Sequence, residues 1–154
     1  MATVLNKTTE TAIRALVFLG LQAAGTPISP RRISACLGES ASYLCKVTAQ
    51  LTRAGIVRSH RGAAGGITLD RAPEQITIRA ILEACQGQIL ANYCRDVPVN
   101  TDVCAYHLAM RDLHQAIGAV LERWTLADLL RKPRPSGPMA GDIPCKVVVD
   151  LEDQ

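Results

Sequence analysis

Ser40-Ala41-Ser42-Tyr43-Leu44-Cys45-Lys46-Val47-Thr48-Ala49-Gln50-Leu51-Thr52-Arg53-Ala54-Gly55-Ile56-Val57-Arg58-Ser59-His60-Arg61-Gly62-Ala63-Ala64-Gly65-Gly66-Ile67-Thr68-Leu69 is the stretch that decides the fold. Ser40 or Ser42 caps a helix that carries Leu44, Val47 and Leu51 on one face, and Gly55 stops it. Ile56–Ser59 and Ile67–Leu69 then read as two strands around a glycine-rich tip. Upstream, Ser29-Pro30 pairs a cap residue with proline at the first helical position, and a short helix through Ile33, Cys36 and Leu37 ends at Gly38. Two short helices joined by a glycine turn, followed by a basic hairpin, give a winged helix-turn-helix.

Outside that stretch the pattern is helical. Ala12, Ile13, Leu16, Val17, Leu19 and Leu21 mark a first helix over residues 8–24, stopped by Gly25 and Pro27, with Gly20 as a weak point in its last turn. Thr77 starts a fourth helix that ends at Gly87. A long amphipathic helix runs from Ala105 to Trp124, with Leu108, Leu113, Ile117, Val120, Leu121 and Trp124 on its apolar side. Thr125 caps a last short helix from Leu126 to Arg131. The expected fold is mainly α with a small β-hairpin wing and a long C-terminal helix. Residues 1–76 read as the DNA-binding domain and 77–132 as a loop plus long helix. Residues 133–154 read as a proline- and glycine-rich linker with an acidic tail.

Composition agrees. Hydrophobic residues make up 48% of 154 and aromatics only 3%, so aliphatic side chains must build the core. The net charge is +3. Between Pro30 and Arg71, seven basic residues face only Glu39 and Asp70, so the positive charge is concentrated where the hairpin and helices lie. Such a local basic face suits phosphate. No secretory leader and no membrane-spanning stretch is visible, so a cytoplasmic protein is expected. There, six cysteines point to metal or redox use rather than structural disulfides. No Cys-x-x-Cys pair, nucleotide-binding glycine motif or Ser/His/Asp set speaks for an enzyme.

The helix after Ser40 presents Ser40, Ser42, Tyr43, Cys45, Lys46 and Gln50 near its start and outer face. The groove-entering end of such a helix reads base edges. Arg61, beside glycine in the wing, suits a narrow minor groove. Arg53 and Arg58 suit phosphate or surface roles, and Gln50 has no clear assignment. Cys94 and Cys104 lie in a polar loop, and Cys104 and His107 are spaced i and i+3, on one face of a helix that has begun by Cys104. Cys36 and Cys85 fall on apolar helix faces and read as core; His60 and His114 read as surface residues.

Leu51–Val57, Arg61-Gly62, Gly65–Leu69, Ala72-Pro73, Ile76–Ile78 and Thr125–Leu129 together resemble the Rrf-two family of bacterial transcription regulators. The similarity runs from about Leu5 to Leu130. It implies a homodimer, paired through the long helix, that binds double-stranded DNA at a palindromic operator. The alternative is a long helix that packs back on its own domain. In this family the readers fall at positions matching Ser40, Ser42 and Lys46, whereas Cys45 stands where an iron–sulfur member carries a glutamate. The stretch Cys104-Ala105-Tyr106-His107 resembles members in which this Cys and His bind an iron–sulfur cluster. Glu10 lies near where another member contributes an N-terminal carboxylate from the partner subunit. Relatives carry three loop cysteines, and here the middle one is absent. Three readings follow. The first is a two-iron, two-sulfur (2Fe-2S) cluster on Cys94, Cys104, His107 and Glu10, with Cys145 as another possible donor. The second is a cluster-free thiol/disulfide switch on the same cysteines. In the third, the cysteines are remnants and another signal acts.

Overall fold

The computed structural model describes residues 5–62, 65–88 and 103–132. Helix α1 (Lys7–Gly20) begins at Asn6, whose Oδ1 accepts the Thr9 N–H at 2.9 Å. Nine of its fourteen residues are buried, from Thr9 to Leu19, so it is covered on nearly every side. A helix this apolar all round belongs inside a domain. The expected extension to Ala24 does not occur. The helix ends at Gly20, with Leu21 as its C-cap, and Leu130 packs directly over Gly20: a Cβ there would sit 2.6 Å from a Leu130 methyl.

Helix α2 (Pro30–Leu37) starts at Ser29, whose Oγ accepts the Arg32 N–H, with Pro30 in the first turn. Gly38 turns the chain, and Ser40 caps α3 (Ala41–Arg53) by accepting the Tyr43 N–H. Leu44, Val47, Thr48 and Leu51 form the buried stripe of α3. Strands β1 (Val57–His60) and β2 (Gly66–Leu69) pair antiparallel, with Val57 opposite Leu69 and His60 opposite Gly66. The wing is fastened to the body by a further bridge, in which Ile28 and Ile67 exchange backbone hydrogen bonds at 3.1 and 2.9 Å. Gly66 permits this contact, because a Cβ there would lie 2.6 Å from the Ile28 carbonyl carbon and oxygen.

A 3₁₀ turn (Pro73–Gln75) leads to α4 (Ile78–Gln86), capped by Thr77. Helices α5 (Ala105–Arg123) and α6 (Leu126–Arg131) follow. Ile78 N–H donates to the Trp124 carbonyl and Leu126 N–H to that of Ile76, both at 2.8 Å, so the start of α4 and the α5–α6 junction are stapled together. Ile76, Ile81 and Leu126 join the same buried cluster as Phe18, Ile33, Leu44 and Ile56. Helix α5 differs. None of its residues is fully buried, its main packing partner is α4, and Leu113, Val120 and Trp124 are nearly half exposed, Tyr106 more so. Ile117 and Leu121 are half-buried, so the apolar side expected from sequence divides between the domain and solvent.

The start of α6 is locked by a capping box. Thr125 N–H donates to Asp128 Oδ2 at 2.9 Å, and Asp128 N–H donates to Thr125 Oγ1 at 3.3 Å. The Thr125 backbone hydrogen bond, its hydroxyl and then Arg131 hold the Asp128 carboxyl below the usual aspartate range. A depressed carboxylate contributes stability that is complete above its unfolded pKa of about 4 and is lost as pH falls through the lower folded value. Asp128→Ala is therefore expected to lower the melting temperature at neutral pH. It should also remove part of the acid-side loss of stability, measured as melting temperature against pH in parent and variant.

Candidate nucleic-acid interface and loop-proximal donors

The exposed face of α3 carries Ser42, Cys45, Lys46, Ala49 and Arg53, opposite its buried stripe. Ser40 and Ser42 lie together at its start, with hydroxyl oxygens 3.5 Å apart. Ser40 Oγ is already engaged as the cap, which leaves Ser42 and Lys46 as the freer groups on the outer face. Tyr43 is half-buried. Its hydroxyl donates to Thr8 Oγ1 at 3.3 Å, and Lys7 Nζ stands 5.5 Å from its ring centroid. Tyr43 thus ties the start of α3 to α1. Gln50, unassigned from sequence, points inward and donates from Nε2 to the Cys85 carbonyl at 3.5 Å.

In the wing, Arg61 is exposed beside Gly62. Arg58 pairs with Asp70 at 2.7 Å, which neutralises part of the strand's positive charge. Arg71 donates to the Ala54 carbonyl and fastens the end of α3. His60 is exposed, as expected, but shares a 2.9 Å hydrogen bond with Thr68 across the hairpin. Sequence reasoning passed over Arg31 and Arg32 as single residues. Both are exposed in the first turn of α2, and the Pro-Arg-Arg run after the cap was the available signal. Lys46 on α3, Arg61 in the wing and this pair on α2 are exposed cations at three elements, and among the described residues none of them has an ion pair.

The second group of candidates lies around α5. Cys104 is its N-cap residue; the thiol is exposed and takes no part in a capping hydrogen bond. His107, one turn later, is half-buried. Thiolate and imidazole are both donors that iron accepts, so this pair fits part of a cluster site. Glu10 lies in the first turn of α1. Among the described residues of one chain, Glu10, Cys104 and His107 do not gather into a three-donor metal group. Cys94 and Cys145 lie outside the described residues. Cys85 is core: burial pushes its thiol up to about 11, so it stays protonated. Cys36 is half-buried against the same core.

Two short helices, a following hairpin and a long outer helix define a winged helix-turn-helix transcription regulator. The Rrf2 profile, described as an iron-dependent transcriptional regulator, matches residues 5–132, and the chain belongs to that family. The HTH-type transcriptional regulator NsrR of Halalkalibacterium halodurans is 32% identical over 130 residues, covering 82% of this chain and 89% of that relative. CymR of B. subtilis, solved as a global cysteine regulator, superposes with a TM-score of 0.69 at 28% identity, covering 85% of this chain and 98% of that one. IscR of T. potens superposes at 0.67 with 26% identity, covering 88% and 94%. Among the described residues, no helix is long and apolar enough to cross a membrane.

Replacing Lys46 and Arg61 together with alanine is expected to abolish specific DNA binding. Each single variant should reduce the slope of log affinity against log salt by about 1 if its contact is to phosphate. Lys46→Ala should also relax sequence preference if it reaches a base edge. Fluorescence anisotropy on promoter DNA over a salt series reads both effects.

Proposed function

We propose that the protein is a cytoplasmic, homodimeric regulator that binds a palindromic operator through α3 and the wing, and that an iron–sulfur cluster sets its DNA affinity. The observation that carries this reading is the Cys104–His107 pair at the start of a helix whose outer face is apolar and uncovered. Tyr106, Leu113, Val120 and Trp124 recur on one side of α5 with exposures of 65, 48, 49 and 46%. A second copy of the same face is the simplest cover, because a two-fold interface brings identical patches together. Residues 77–132 then act as sensor and dimer element, and residues 1–76 as the DNA reader.

Cys94, Cys104, His107 and Glu10 of the partner subunit would hold the cluster. With the middle loop thiol missing, a 2Fe-2S form suits a mixed donor set better than a four-iron cube. When bound, the cluster supplies a centre that responds to oxidants, nitric oxide or iron supply. The chain's own part is mechanical. Cys104 and His107 fix the first turn of α5, and α5 is joined to the DNA-reading body through α4 and the Thr77–Thr125 bridge. A second reading rests on the exposed Cys104 thiol and on there being only two loop cysteines. In it, Cys94 and Cys104 lose two protons and two electrons to an oxidant and form a disulfide.

Protein purified without oxygen and reconstituted with ferrous iron and sulfide should hold about two of each per subunit. Its visible absorption should fall in Cys94→Ala, Cys104→Ala and His107→Ala, and chelation of the iron should change its DNA affinity. Protein that retains neither iron nor sulfide sinks the cluster reading. A mass loss of two hydrogens on diamide treatment, absent in Cys94→Ala, would then favour the switch. For the dimer, Leu113→Glu should shift the sedimenting species to a monomer, because it places two like charges in a self-complementary face.

A further inference from the structure

The chain leaves the last turn of α4 for the segment that carries Cys94. Two glutamines engage that turn. Gln50, on α3, donates from Nε2 to the Cys85 carbonyl at 3.5 Å, one of the last four carbonyls of α4, which a helix cannot satisfy along its own ladder. Gln86, on α4 itself, accepts through Oε1 from Thr9 Oγ1 at 3.2 Å and from Asn6 N–H at 3.4 Å. Asn6 is the cap of α1. Next to it, Thr8 accepts from the Tyr43 hydroxyl, and Lys7 lies 3.4 Å from Glu39 in the α2–α3 turn and beside the Tyr43 ring.

The end of α4 therefore holds α3 at two places. One is direct, at Gln50 toward the end of α3. The other passes through the start of α1 to Tyr43, in its first turn. Neither place uses the outer face that carries Ser42 and Lys46. We infer that Gln50 and Gln86 are positioning residues that carry the state of the segment after α4 to the recognition helix within one subunit. This inference rests on the reading that the segment holds the sensor. A shift or rotation of the last turn of α4 moves the Cys85 carbonyl and the Gln86 amide together, so both ends of α3 are pulled at once. The route needs neither α5 nor the partner subunit.

The two side chains work in opposite senses, and that gives the test. Toward Thr9 and Asn6, Gln86 is the acceptor, so Gln86→Glu keeps those two bonds and Gln86→Leu loses them. Gln50 acts as a donor, so both Gln50→Glu and Gln50→Leu lose it. Hydrogen exchange read by mass spectrometry on the full chain follows peptides spanning 6–12 and 41–53. Losing a single part-buried hydrogen bond should speed exchange there severalfold. In the untreated protein, Gln86→Leu and both Gln50 variants should show that rise, and Gln86→Glu should not.

The parent is then compared with the Gln50→Leu/Gln86→Leu double variant after anaerobic loading with ferrous iron and sulfide, and separately after diamide. At least one treatment should alter exchange in 41–53 of the parent. The double variant should take up the same iron and sulfide, or form the same disulfide, with most of that change gone. Full transmission by the double variant, equal behaviour of Glu and Leu at position 86, or no response of 41–53 in the parent to either treatment would overturn the inference. A parent that binds no iron but responds to diamide removes the cluster reading alone and leaves the glutamine route judged by the diamide arm.

Discussion

The burial of α1 is the constraint on which the other elements depend. Helices α2, α3, α4 and α6 and strand β2 all pack against it. Its Leu16 and Phe18 are fully buried, and Phe18 is the only phenylalanine in the chain. Burying each such side chain contributes on the order of 1.5–3 kcal/mol. With so few aromatics, the remaining core is made of Leu, Ile, Val and Ala, whose contacts are individually small. Beyond Phe18 no aromatic ring is fully buried among the described residues, and glycines allow close approach instead. Gly20 lets Leu130 of α6 lie directly on α1, and Gly66 lets the wing meet the Ile28 backbone.

The same core runs through the helix-turn-helix, the wing, α4 and α6, and it leaves α5 out. That separation has a consequence for motion. Core elements are held by many simultaneous contacts and shift only together, whereas an outer helix with no fully buried residue is held chiefly by α4 and by the backbone staple at Thr77 and Thr125. Elements with few buried contacts open and move at the lowest free-energy cost.

Much of this was legible in the sequence because it is written locally. The caps Ser29, Ser40, Thr77 and Thr125, the hairpin around Gly62 to Gly66, and helix α6 depend on residues within a few positions of one another. The end of α1 was not legible, since Leu21, Ala23 and Ala24 continue an apolar pattern, and the packing of Leu130 over Gly20 comes from over a hundred residues away. The side-chain orientations on α3 were partly hidden for the same cause. Spacing places Tyr43 and Gln50 near the outer face, but Thr8 and the Cys85 carbonyl draw them inward. The pairing of Arg58 with Asp70 was likewise invisible until the hairpin register was known. Cys36 and Cys85 could be separated from the loop cysteines in advance, because apolar helical spacing is a local property.

Burial then divides the cysteines by chemistry. A thiol must deprotonate to bind a metal or attack an oxidant. Cys85 lies against the same turn of α4 that Gln50 holds, yet desolvation lifts its pKa to about 11 and keeps it a hydrophobic filler. Cys104 is exposed at the N-cap of α5. The two thiols stand on the elements that flank the Cys94 segment, one before it and one after it. Only the later one is exposed. The earlier one lies within the packed body and, with its pKa pushed up to about 11, stays protonated at neutral pH.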